Sequence, residues 1–203
     1  MKKLITVLAL SFVFATSIFA ANFSVGGNMN IGGTVSDDSK YYGLSTGTGA
    51  FFNVDFLLGF GLQAEVNFSE DYISVDGNSI TFDDRYGIID TAVMGWWNVK
   101  LGPIGFGLGV GPNFSGTLAQ YEEKAKDVRN DNLVLGLAAG ANSIFYIGNH
   151  FGLVAGIHGV FDFTPRFSIE KSNPETGKTT LTWDASDWKR RSIYGTFGAE
   201  YRF

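Results

Sequence analysis

Apolar side chains recur at every second position through most of this chain, and that feature limits it to an all-β fold. The last stretch shows it most plainly. Ile193, Gly195, Phe197, Ala199, Tyr201 and Phe203 alternate with Ser192, Tyr194, Thr196, Gly198, Glu200 and Arg202. A period of two puts each set on its own face of an extended strand. The pattern runs into a terminal aromatic, whereas chain ends commonly fray into polar tails.

The same alternation fills the earlier sequence. Phe23, Val25, Met29, Ile31 and Val35 stand against Asn22, Ser24, Asn28, Asn30 and Thr34. Phe52, Val54, Phe56 and Leu58 oppose Asn53 and Asp55, and Leu62, Ala64, Val66 and Phe68 oppose Gln63, Glu65, Asn67 and Ser69. In "IGFGLGVGPNF" the apolar set faces four glycines, Gly105, Gly107, Gly109 and Gly111. Leu153, Ile157, Phe161 and Phe163 oppose His158 and Asp162. The segment 86–99 carries apolar residues on both faces, so its inward face is not evident. These runs make roughly eight strands, the small end of the membrane-barrel range.

Alternation is shared by soluble sandwiches and membrane barrels; only the direction of the apolar face differs. Two features favour the barrel. The polar face is rich in Gly, Asn, Ser and isolated acids rather than in Lys, Glu and Thr, and 27 of the 203 residues are glycine, well above the usual ~7 %. Glycine weakens a solvent-facing strand but suits a narrow interior, where bulky partners are expected to cross from the far wall. The connections also alternate, long near 36–45, 70–85, 117–131 and 165–188, and short near 59–61, 100–103 and 148–150. That rhythm is expected of a closed antiparallel up-and-down transmembrane β-barrel with short periplasmic turns and long extracellular loops. Hydrocarbon offers no partner to a free strand edge, so the last strand must pair with the first. Phe203 is then the final pairing position of that closure.

The N-terminus fits export. Lys2 and Lys3 precede the apolar run from Leu4 to Phe14, and small residues follow in "ATSIFA", the layout of a signal peptide. Cleavage after Ala20 is preferred because alternation starts at Asn22; cleavage after Ser17 is the alternative. The expected domains are a signal peptide, 1–20, and a barrel, 21–203. Loss of two lysines moves the formal charge from −5 to −7. A net acidic chain without a long basic cluster is not expected to bind nucleic acid. There is no cysteine, hence no disulfide framework.

The ending Thr196-x-Gly198-x-x-Tyr201-x-Phe203 resembles the C-terminal assembly signal of outer-membrane barrels, and "EYRF" resembles the close of outer-membrane protein X and its relatives. "WNVKLGPIGFGLGVGP" resembles the turn and Gly-rich strand of the barrel-domain group that includes the A, X and W types. The resemblance implies an integral protein of the cell outer membrane, with its last strand read by the barrel-assembly machinery. A monomer embedded in outer-membrane lipid is expected.

Several groups are candidates for chemistry. Asp55 and Glu65 fall opposite one another if their turn centres near Phe60, and Arg202 is the nearest cation by depth. With Glu200 they form a candidate lumen ionic network, read either as stiffening or as a gate. Trp188, Lys189, Arg190 and Arg191 lie where the last strand leaves the outer leaflet. They suit contact with lipid phosphates or a solvated loop end. Asp37-Asp38 and Asp83-Asp84 fall in outer loops without the spacing of a calcium site.

Outer-membrane enzymes resemble one another in placing a His with acids or Ser at the extracellular rim. His150 falls at a periplasmic turn and His158 within a strand, so no enzymatic activity, cofactor or metal is expected. An eight-stranded barrel is filled by its own side chains. The expectation is a structural or surface-interaction role, in adhesion or envelope integrity, through the extracellular loops. The alternative is a narrow channel or binder for small hydrophobic molecules, as the type W resemblance implies.

Overall fold

A computed structural model describes residues 22–36, 41–56, 59–75, 85–120, 128–130, 133–164, 167–172, 179–181 and 189–203. The expected signal segment 1–20, both aspartate doublets and Trp188 lie outside the described residues. Within them the strands are β1 (Asn22–Ser36), β2 (Tyr41–Asp55), β3 (Phe60–Val75), β4 (Arg85–Leu101), β5 (Ile104–Gln120), β6 (Val128–Asn130), β7 (Val134–Ile147), β8 (Phe151–Asp162), β9 (Phe167–Ser172), β10 (Thr179–Leu181) and β11 (Arg190–Arg202).

Eight of these strands close into an antiparallel meander in the order β1-β2-β3-β4-β5-β7-β8-β11, with β11 returning to β1. Closure runs from Ser24 opposite Arg202 to Ser36 opposite Arg190. One more bond, from the Phe203 amide to the Phe23 carbonyl at 2.9 Å, secures the end. No barrel edge is left unpaired, which hydrocarbon requires. β9 pairs with β6 and β10 in a small separate sheet built from the connections β5–β7 and β8–β11.

The three tight turns share one end of the barrel. Each has a glycine at positive φ: Gly59 at 79°, Gly102 at 62° and Gly148 at 69°. A side chain would strain the backbone there. The opposite, loop end differs from expectation in where the strands stop. Residues 41–45, expected in a long loop, belong to β2, and β3 runs on to Val75 rather than stopping near 69. Beyond the lipid band strand pairing continues, but no hydrocarbon demands an apolar stripe. The sequence pattern therefore fades before the strand does.

Alternation now has a direction. Met29, Phe68, Phe106, Leu153, Ile157, Phe197 and Phe203 point outward and are exposed, while Ser24, Asn67, Asp90, Asn113, Ser192 and Glu200 are buried inside. An apolar surface running right round a barrel is unstable in water and stable in lipid. In β4 the even residues face inward, which settles the ambiguous segment 86–99. Ile88, Ala92, Met94 and Trp96 are buried, and the last three form an apolar cluster with Ala138 of β7.

The glycines of β5 make room for rings, though not from the far wall as expected. Trp96 comes from the adjoining strand β4 and lies flat over Gly107 and Gly109. It reaches Gly140 of β7, where an added Cβ would stand 3.2 Å from the indole. Tyr146 of β7 covers Gly105 in the same way, at 3.1 Å. In so narrow a barrel a large side chain folds sideways along the wall, so the nearest small residues are its sheet neighbours.

Gly109→Val is expected to push Trp96 from this seat and cost about 1–3 kcal/mol by overpacking. Trp96→Ala should cost about 3–5 kcal/mol. Gly95→Ala points outward, with 3.9 Å to the nearest atom, and should be neutral. Urea midpoints for the folded band in detergent test the series. A Gly109→Val protein as stable as its parent would count against this packing.

Candidate functional site: the polar lumen

Inward parity places the ionisable residues of six strands, β2, β3, β4, β7, β8 and β11, in one shaft, where they sort into three groups along its axis. At the turn end, Arg202 of β11 approaches Asp55 of β2 at 3.8 Å and Glu200 at 3.6 Å. Its guanidinium donates to the Tyr146 hydroxyl at 2.7 Å and lies over that ring at 4.5 Å, while Lys100 sits over the ring at 4.3 Å. Asn98 donates to Asp55 at 2.7 Å and Ser24 to Glu200 at 3.3 Å. His150, in the nearby turn, meets the Arg202 carbonyl through Nδ1 at 2.9 Å and stacks on Tyr201. Lys100 is exposed at this mouth and Arg202 only partly covered.

The middle group centres on Glu65. Its carboxylate accepts from Gln63 at 2.8 Å and from Asn67 at 3.1 Å, and Asn30 donates on to Asn67. Across the lumen His158 Nε2 lies 3.3 Å from Glu65 Oε1, in polar contact but without hydrogen-bond alignment. Tyr194 meets the imidazole edge-on. A cavity of about 30 Å³ adjoins them, room for little more than a water.

At the loop end, Arg190 is 0 % exposed. One guanidinium nitrogen donates to Asp90 of β4 at 2.5 Å. Asp71 of β3 lies at 3.7 Å and Asp162 of β8 at 3.9 Å. Tyr194 accepts from Arg190 at 3.3 Å, Ser45 donates to Asp71, and Asn113 donates to Asp90. The backbone amide of Arg190 also donates to Asp162, at 3.2 Å. Removing such charges from water costs several kcal/mol each, so the arrangement persists only because each is met by opposite charge or a hydrogen bond.

Two sequence expectations change. Asp55 and Glu65 are not opposite: Asp55 faces Gly61 and Glu65 faces Phe51, because the turn centres two residues before Phe60. Asp55, Glu200 and Arg202 meet, while Glu65 belongs with His158. Arg190 does not reach lipid; it shares the inward parity of Ser192, Tyr194 and Thr196. Arg191 alone of the two arginines is on the outer face, and Lys189 is half-buried just before the strand. The cluster around Arg190 is not evident from its chain neighbours, but parity carries its signal. Asp71 follows Glu65, Asn67 and Ser69 at even steps, and Asp162 follows His158.

Arg190→Leu is expected to destabilise the barrel by about 3–5 kcal/mol, since three carboxylates lose a shared partner. Adding Asp90→Asn should recover part of that loss. A double-mutant cycle on urea unfolding measures the coupling; strictly additive effects would show that the two groups act independently.

No family model matches the chain, and no curated protein matches it. Solved structures do. A major outer membrane protein from Thermus thermophilus superposes with a TM-score of 0.60 at 16 % identity, over 91 % of this chain and 100 % of that one. The outer membrane protein OprG from Pseudomonas aeruginosa gives 0.57 at 12 %, over 90 % and 95 %. Neisserial surface protein A gives 0.53 at 12 %, over 90 % and 99 %. The likeness is one of fold, carried by strand number and closure rather than by shared residues. The chain is an eight-stranded β-barrel of the outer-membrane type, and the apolar belt around it is the part that sits in lipid.

Proposed function

We propose that this protein is a sealed outer-membrane barrel acting through its loop end, in envelope integrity or surface contact. The supporting observation is Arg190, wholly buried and held by carboxylates from β3, β4 and β8 across the loop-end lumen. A shaft crossed by that group, and by Glu65 with His158 below it, is filled rather than open. What varies freely on such a scaffold is its loops, and loops on a rigid frame commonly carry binding. The small sheet of β6, β9 and β10 stiffens two of them.

A narrow path for small hydrophobic molecules finds less support. The described lumen carries ionisable groups at three levels along its axis, although Phe51, Ile88, Val134, Ile144 and Val160 are buried as well as the cluster of Ala92, Met94, Trp96 and Ala138. A non-enzymatic role is favoured by where the histidines sit, His158 deep in the lumen and His150 at the turn end. For biogenesis, Thr196, Gly198, Tyr201 and Phe203 are proposed as the signal read by the barrel-assembly machinery. Tyr201 and Phe203 present exposed rings on the outer wall of the closing strand.

In planar bilayers the parent protein should show no steady conductance, and Arg190→Ala, which leaves Glu65 and His158 across the shaft, should stay closed as well. Parent channels that a small apolar compound blocks would instead favour the conduit. Proteolytic clipping within 165–188 on intact cells should leave the barrel in place and abolish any adhesion it confers.

A further inference from the structure

The outer wall near the loop end carries an arginine that the lumen does not use. Arg191 is exposed on β11, in register with Val35 of β1 on one side and Phe161 of β8 on the other. The next outward row toward the turn end is Gly33, Ile193 and Gly159. Phe161 folds down over Gly159, where an added Cβ would stand 3.1 Å from its ring. Gly33 is uncovered: a Cβ there would find its nearest neighbour, the Gly43 carbonyl, at 3.8 Å. The result is a groove of about 410 Å³ lined by Gly33, Val35, Phe161, Ile193, Arg191 and the edge of Thr34. Of these only Arg191 is charged.

Depth identifies what can fill it. Arg191 lies ten residue steps from the exposed ring of Tyr201 on the same strand. At about 3.4 Å per residue and a tilt near 45°, that is roughly 24 Å along the membrane normal. An outer-membrane belt is about 25 Å tall. With Tyr201 at one boundary, Arg191 stands at the other, where a cation costs about 0–1 kcal/mol rather than the 2–4 kcal/mol of the midplane. A guanidinium at headgroup level binds phosphate oxygens through paired N–H donors. The uncharged groove directly beneath it points into the hydrocarbon.

We propose that Arg191 and the Gly33 groove form a binding site for a phosphorylated, acylated lipid of the outer leaflet, with phosphate on the guanidinium and an acyl chain along the groove. The site rests on the outer-membrane reading but is tested apart from it. Reconstitution into nanodiscs and heat-modifiable gel mobility report on the barrel; lipid retention reports on the site. The parent, Arg191→Gln and Gly33→Leu proteins are reconstituted with lipid A bearing two phosphates, or with the same lipid dephosphorylated, and retained lipid is counted by native mass spectrometry. The parent should retain the phosphorylated form at least about fivefold better. Arg191→Gln should bring that ratio near one, and Gly33→Leu, which fills open space, should lower retention of both forms. Equal retention of the two lipids by the parent, or unchanged retention in both variants, would overturn the site. So would displacement of the lipid by millimolar inorganic phosphate, which would mark an anion site without an acyl component.

Discussion

Backbone polarity in hydrocarbon is the constraint from which the rest of this molecule follows. Each strand carries an N–H and a C=O at nearly every residue, and lipid tails can satisfy neither. The sheet therefore has to end where it began, and β11 lies along β1 from Ser24 and Arg202 to Ser36 and Arg190. Once the ring is closed, every strand has a lipid side and a lumen side. The apolar belt and the polar shaft are two aspects of one closure.

Closure with eight strands also sets the character of the interior. The shaft is too narrow for bulk water and too polar for an oily core, so its polar groups must meet one another. Arg202 with Asp55 and Glu200, Glu65 with His158, and Arg190 with Asp71, Asp90 and Asp162 each link strands distant in sequence. A polar network in a low-dielectric site is worth most when every member is matched. The apolar cluster at Trp96 fits beside these groups only because β5 and β7 withdraw their side chains at Gly107, Gly109 and Gly140. The lumen thus braces the wall from within.

Much of this architecture was legible as a linear pattern. Parity marked which residues share a face, and the rhythm of long and short connections marked which ends share a side. The tight turns stand where glycine sits between two alternating runs, at Gly59, Gly102 and Gly148. Strand ends were less legible, because polar stretches such as 41–45 pair outside the lipid, where no stripe is required. The candidate site was harder still. A shift of two residues in the turn centre puts Glu65 opposite Phe51 instead of Asp55, and Arg190 belongs with residues of its own face rather than with its chain neighbours.

The sequence by itself determined the β class, the antiparallel meander, and the inward or outward sense of the residues in its clearly alternating runs. These follow from the pleat, which is local: a side chain two positions along must return to the same face. Only the tertiary structure decided which inward groups meet. The partner of Arg190 or His158 depends on the stagger of strands summed around the ring and on how far each side chain reaches across it. No stretch of chain contains that sum. For the same reason Arg190 and Arg191, adjacent in sequence and alike in charge, face opposite environments: one is held by carboxylates inside the wall, and the other is exposed on the outer face.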